Sequence, residues 1–162
     1  MDTIIVDLAK YLYLVVAALA FVFWLRLPKP DKWRFLVAGI IGGIIAVILV
    51  KAGGMLYNDP RPFVNSGVKP LFPHVADNGF PSDHTTLTVL LSALVFSYSR
   101  KWGVALFLLA LIVGVSRMLA HIHHGVDIAA GVGFGIIAAL AGIWATNYIL
   151  DRTKPRTQQE AK

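Results

Sequence analysis

The stretch FLVAGIIGGIIAVILVKAGGMLY, residues 35–57, holds a single charged side chain, Lys51, in 23 positions. About 20 mostly apolar residues in an α-helix cover the hydrocarbon core of a bilayer. In lipid, only a helix or a closed barrel satisfies its own backbone. The stretch therefore predicts a membrane-spanning helix, and similar runs lie on either side of it, at Ile4–Leu25, Thr85–Ser99, Trp102–Ala120 and Gly125–Leu150. The Thr85–Ser99 run is short, and Pro81–His84 ahead of it has the proline and serine of a helix start, so part of that segment joins its first turn. The fold class expected is all-α: an integral membrane bundle of about five transmembrane helices, one domain over residues 1–150. The remainder, DRTKPRTQQEAK at 151–162, reads as a polar cytoplasmic tail of disordered composition.

Composition supports this class. The chain has 162 residues, 57% of them hydrophobic, and a mean hydropathy of +0.68. It has no cysteine, which excludes a disulfide framework and a thiolate metal site. The net charge is +6, and the basic residues fall between the apolar runs. That placement points to a membrane surface as partner and not to nucleic acid. Asp2 and Asp7 stand where a signal peptide has its basic leader, and no small-residue cleavage site follows FWLRLPKP, so the first run is expected to remain as a helix. The glycines of GIIGGIIA and GVGFG are expected to allow close helix packing.

Charge also orients the bundle. With five crossings, one side carries Arg26, Lys29, Lys32, Arg34, Arg100, Lys101, Arg152, Lys154, Arg156 and Lys162. The other carries Lys10, Lys51, Arg61, Lys69 and Arg117. Ten against five places the first side in the cytoplasm. The N-terminus, the Asn58–His84 loop and the His121–His124 turn then face outward.

The same topology gathers three distant clusters at one membrane face: KAGGMLYNDPRP (51–62), PSDH (81–84) and SRMLAHIHHGVD (116–127). Lys51, Arg61 and Arg117 supply fixed positive charge suited to a phosphate or diphosphate. Ser82 adds a hydroxyl and the start of the third helix adds amide donors. His84 and His123 titrate near neutrality. Asp127 lies four residues after His123, on the same helical face, where a carboxylate holds an imidazole in one tautomer. This set suits phosphoryl transfer with His123 as nucleophile, Asp127 as its orienting partner and His84 as general acid and base. No cofactor and no metal is expected. The competing metal reading takes HIHH with a carboxylate as zinc ligands. His121 and His124 are expected at the rim, His74 in a loop without a partner, and Asp59 as a turn residue or arginine partner. Phe63–Phe80 is a lid, a short interfacial helix or an ordinary connection.

At this point the sequence resembles the type 2 phosphatidic acid phosphatases, whose pattern is Lys, six residues, Arg-Pro; Pro-Ser-Gly-His; and Ser-Arg, five residues, His, three residues, Asp. The third block fits in full at Ser116, Arg117, His123 and Asp127, and the likeness covers about residues 35–150. The second block reads Pro81-Ser82-Asp83-His84, with Asp83 at the usual glycine. That variant, with PRPFV at 60–64 and GFPSDHTT at 79–86, resembles the bacitracin-resistance branch of undecaprenyl-diphosphate phosphatases. The family lysine would fall at Gly54, whereas Lys51 stands one turn earlier. The resemblance implies a metal-independent membrane phosphatase. Its general acid would be His84, its nucleophile His123, and its substrate-binding residues Arg61, Arg117, Lys51, Ser82, Asp83 and Ser116. Undecaprenyl diphosphate would be cleaved to undecaprenyl phosphate at the outer face of the bacterial inner membrane, with a polyprenyl or other phospholipid substrate and membrane lipids as partners. Two alternatives stand beside it: a broader lipid phosphatase for phosphatidylglycerol phosphate or phosphatidic acid, and a small transporter or channel using the same polar residues.

Overall fold

The structure, a computed structural model, describes residues 1–152; the expected tail from residue 153 on lies outside the described residues. Six helices follow one another: α1 (Asp2–Arg26), α2 (Lys29–Leu56), α3 (Pro62–Asn65), α4 (Asp83–Phe96), α5 (Arg100–Leu119) and α6 (Gly125–Arg152). Among the described residues there is no strand, only an isolated bridge between Pro60 and Asn78. Four helices, α1, α2, α5 and α6, are long and apolar enough to cross a membrane. The all-α membrane bundle expected from the sequence is therefore present.

Helix α2 begins at Lys29, six residues before the apolar run that predicts it. Pro28 ends the preceding extended stretch and Pro30 sits in the first turn, where a missing N–H costs nothing. Helix α4 has 14 residues, or about 21 Å at 1.5 Å per residue, and is too short to span the core alone. The residues that flank it reach toward the two ends of the bundle. At its start Ser82 N–H donates to the Asp127 carbonyl at 3.1 Å. Beyond its end Tyr98 packs on Phe35. At that far end Arg34 meets Asp151 at 2.7 Å and Asn147 at 2.8 Å.

Helix α4 is also the central element, in contact with α1, α2, α5 and α6. Its buried polar residues do not seek partners on other helices. Thr86, Thr88 and Ser92 donate to carbonyls of their own helix or its cap at 2.6–2.9 Å. Helix α6 meets this surface with glycines. A Cβ on Gly131 would stand 2.9 Å from the Ser82 carbonyl oxygen, one on Gly135 2.7 Å from that of Thr86, and one on Gly142 2.5 Å from that of Ala38. Close packing therefore explains these glycines and Gly42, whereas Gly43 and Gly133 have open space where a Cβ would point.

This contrast gives a test. Gly135→Ala should lower the thermal midpoint in detergent by the equivalent of about 1–3 kcal/mol, because backbone must move to admit the methyl. Gly133→Ala should leave the midpoint unchanged or raise it slightly, since alanine is the better helix former.

Candidate active site

The end of the bundle holding the α5–α6 turn carries the polar residues. The turn is made by His121, whose φ of 60° is the left-handed conformation that commonly ends a helix. Ile122 follows, fully buried against Ala9 and Ala120, and its N–H returns to the Arg117 carbonyl at 3.1 Å. The reversal delivers His123 inward and starts α6 two residues later.

Asp127 lies in the first turn of α6 with none of its surface exposed. Its Oδ2 accepts from the His124 backbone N–H at 2.8 Å and from His123 Nδ1 at 3.2 Å. A carboxylate accepts only, so Nδ1 carries the proton and Nε2 presents its lone pair. That Nε2 stands 3.4 Å from Arg61 Nη1. Burial lowers the pKa of His123; the Asp127 bond pushes upward, but Arg117 and Arg61 add to the lowering, and the net shift is down. The imidazole is consequently neutral, as a nucleophile must be, at neutral pH.

Arg61 and Arg117 are both buried. Arg61 Nη1 donates to the Ile122 carbonyl at 3.0 Å and Nε to Asp77 at 2.6 Å. Arg117 Nη1 donates to the Ala9 carbonyl of α1 at 3.0 Å. Its Nε is buried without a partner among the described residues. A buried unpaired donor costs about 1–3 kcal/mol and is the natural place for an anionic oxygen. His84, at the second position of α4, packs edge-on against Tyr13 with ring centres 4.5 Å apart.

The structure thus gathers His84, His123, Asp127, Arg61 and Arg117. Ser82 joins them at the floor, but its hydroxyl caps α4, accepting from Thr85 N at 3.4 Å and Thr85 Oγ1 at 3.0 Å. Ser116 does not join: it is buried and its hydroxyl donates to the Val113 carbonyl at 2.8 Å. Lys51 and Asp83 lie together at one end of a groove of about 420 Å³ along α2 and α4. The lysine position of the family pattern, Gly54, is tight for a side chain, since its Cβ would sit 3.1 Å from the Phe80 carbonyl oxygen.

Several participants escaped the sequence reading. His74 is not without a partner: its Nε2 lies 3.4 Å from Arg117 Nη2. Asp59 pairs with His124 Nδ1 at 2.9 Å and not with an arginine. The arginine partner is Asp77, where the Arg61 hydrogen bond and charge outweigh burial and hold the carboxyl below its usual range. Asn78 fastens the loop, donating to the Gly54 and Tyr57 carbonyls and accepting from the Asp59 and Phe80 amides. The turn-forming composition of Asp77-Asn78-Gly79 is a signal that could have marked this fold-back. Donor atoms of Asp59, His124 and Asp127 also come within 4.8 Å of one another, the arrangement closest to a metal-ligand set.

This geometry agrees with what the sequence matches. Residues 31–151 fit the PAP2 superfamily. The chain belongs to that superfamily. PAP2 members are phosphatases, which places the chain among the hydrolases. It is 33% identical over 145 residues to the Bacillus licheniformis bacitracin transport permease protein BcrC, covering 89% of this chain and 71% of that one. It is 34% identical over 139 residues to the Bacillus subtilis undecaprenyl-diphosphatase BcrC, covering 85% and 70%. The PAP2 fold is also that of Aquifex aeolicus LpxE, with a TM-score of 0.67 at 24% identity over 88% of this chain and 85% of that one.

Two measurements check the geometry. The 15N shifts of His123 should titrate with a midpoint below 6.5, the ordinary histidine value, because burial and the arginines disfavour the charged ring. A midpoint above it would contradict this environment. His121→Gly should keep the fold and gain up to about 1 kcal/mol in thermal stability, since glycine adopts a positive φ without strain.

Proposed function

We propose that the chain is a membrane lipid phosphatase that hydrolyses undecaprenyl diphosphate to undecaprenyl phosphate through a phosphohistidine at His123. The observation that carries this reading is the His123 ring, with its proton fixed by Asp127 and its free nitrogen turned toward a buried arginine. Undecaprenyl diphosphate as the substrate is supported by the Bacillus subtilis relative, which is named for that activity.

In the first step His123 Nε2 attacks the terminal phosphorus and the phosphoanhydride bond breaks. His84 gives a proton to the departing oxygen of undecaprenyl phosphate. Asp127 stabilises the positive charge on the phosphorylated ring. Arg61 and Arg117 stabilise the equatorial oxygens, where charge collects in the transition state. In the second step His84 takes a proton from water, the water oxygen attacks phosphorus, and the P–N bond breaks to return neutral His123 and inorganic phosphate. The ten-to-five bias of basic residues supports a site on the extracytoplasmic face.

A transport reading deserves comparison because the Bacillus licheniformis relative is named a permease. Transport needs ionisable groups near mid-membrane. Here Arg61, His84, Arg117, His123 and Asp127 belong to one end of the bundle, joined by the contacts described above, so the phosphatase reading is the better supported.

The deciding experiment measures phosphate release by purified protein in detergent with EDTA present, using undecaprenyl diphosphate, phosphatidylglycerol phosphate and phosphatidic acid. Activity should survive EDTA and be greatest on undecaprenyl diphosphate. His123→Ala should abolish it, and His84→Ala should reduce it by about 10²–10⁴-fold. Loss to EDTA alone would assign the chemistry to Asp59, His124 and Asp127 as metal ligands. Inactivity of folded protein on all three lipids would favour transport. A tag at the N-terminus should react with impermeant reagents added outside intact cells; protection would reverse the orientation.

A further inference from the structure

The segment between α3 and α4 is held down at two points. Leu71 N–H donates to the Ala120 carbonyl at 3.2 Å, and Leu71 and Phe72 pack on Ala9, Ala120 and Ile122. Asn78 ties the other side to the Gly54 and Tyr57 carbonyls at 2.9 and 3.0 Å. Between these anchors, two side chains turn to the two buried arginines. Asp77 takes Arg61 Nε, and His74 takes Arg117 Nη2. His74 Nδ1 lies 3.3 Å from the Val75 carbonyl, an acceptor, so Nδ1 carries the proton and Nε2 offers its lone pair to the guanidinium.

A neutral imidazole is a weak partner for an arginine, and a carboxylate would hold it better, as Asp77 does for Arg61. What an imidazole adds is the capacity to change charge with its surroundings. The charged and titratable groups acting on or beside His74 are Arg61, Arg117, Asp77 and His84. Burial lowers its pKa, Arg61 and Arg117 act the same way, and the Val75 carbonyl and Asp77 oppose them. An anion placed among these groups reverses the field, and Nε2 then becomes a donor.

The position of His74 indicates which anion. Arg61 stands at His123 Nε2, beside the phosphorus under attack. Arg117 acts on His123 as well, but it also reaches toward Asp83 and Tyr13; Tyr13 packs against His84, which serves the leaving oxygen and on which His74 also acts. A monophosphate lipid has an ester carbon on that side, whereas a diphosphate has a second anionic group.

We propose that His74 is a specificity-determining substrate contact, whose Nε2–H donates to the non-transferred phosphate of a diphosphate headgroup beside Arg117. This rests on the phosphatase reading above.

The test compares kcat/KM for undecaprenyl diphosphate and phosphatidic acid in wild type, His74→Ala and His74→Gln, each checked for folding by thermal melt. Phosphatidic acid is measured as a competitor where it is not turned over. His74→Ala should lower the preference for the diphosphate by about tenfold or more, the scale of one hydrogen bond to a charged group, and His74→Gln, whose amide still donates, should lose less. A preference that stays within about twofold in His74→Ala, whether both activities fall together or neither falls, overturns the proposal. Wild-type protein that is folded yet inactive on both lipids sinks the phosphatase reading first, and this proposal with it.

Discussion

A carboxylate removed from water needs donors, and the arrangement of the site end follows from how Asp127 finds them. It sits at the positive end of α6, where four amides lack helical partners. Its Oδ2 takes the His124 amide and the His123 ring, and its backbone carbonyl takes the Ser82 amide. One residue thereby fixes the orientation of the imidazole, the shape of the α5–α6 turn and the starting point of α4. The loop fits around it closely: a Cβ on Gly79 would lie 3.1 Å from Asp127 Oδ2. A side chain there would force the loop away from the carboxylate, and with it Asp77 and His74 from the arginines.

Helix periods and breakers are local properties, and they were readable. The apolar runs, the Pro81–His84 helix start and the i, i+4 relation of His123 and Asp127 each depend on neighbours within a turn or two. What was not readable depends on where a loop returns. Nothing in residues 66–80 has a period, so the pairing of Asp77 with Arg61 and His74 with Arg117 appears only once Leu71 and Asn78 are seen anchored to other helices. Ser116 shows what a motif leaves open. It belongs to a motif block with Arg117, yet successive residues on a helix point about 100° apart, and its hydroxyl turns to the Val113 carbonyl. His121 was placed at the rim by polarity, while its backbone conformation is what the turn uses.

The two departures from the family pattern share a physical context. At position 54 the α2 helix lies close to the loop backbone, so a side chain there would press on the Phe80 carbonyl and the loop would have to give by a few tenths of an ångström. One turn earlier the helix surface is free, and Lys51 occupies it. Asp83, which replaces the usual glycine, lines the same groove, followed by Thr86 and Leu87 along α4. The cation and the carboxylate are both exposed at the groove, from which Asp83 still acts on buried Arg117.

The two ends of the bundle use charge differently. Arg34 and Asp151 form an exposed pair far from the site, worth no more than about 1 kcal/mol. At the site end Arg61 and Arg117 are buried side by side and repel each other. Asp77 offsets one of them, but Arg117 feels Asp83 only at a distance; its hydrogen-bond partners among the described residues, the Ala9 carbonyl and His74, are neutral, and its Nε has none there. Burying a cation without a counter-charge is costly, by several kcal/mol in general. A bundle held together for stability alone would do better with an apolar residue there. The arrangement is favourable only when something anionic enters, and His123, His84 and Asp127, the residues to which the proposed reaction gives its chemistry, all lie at the same end.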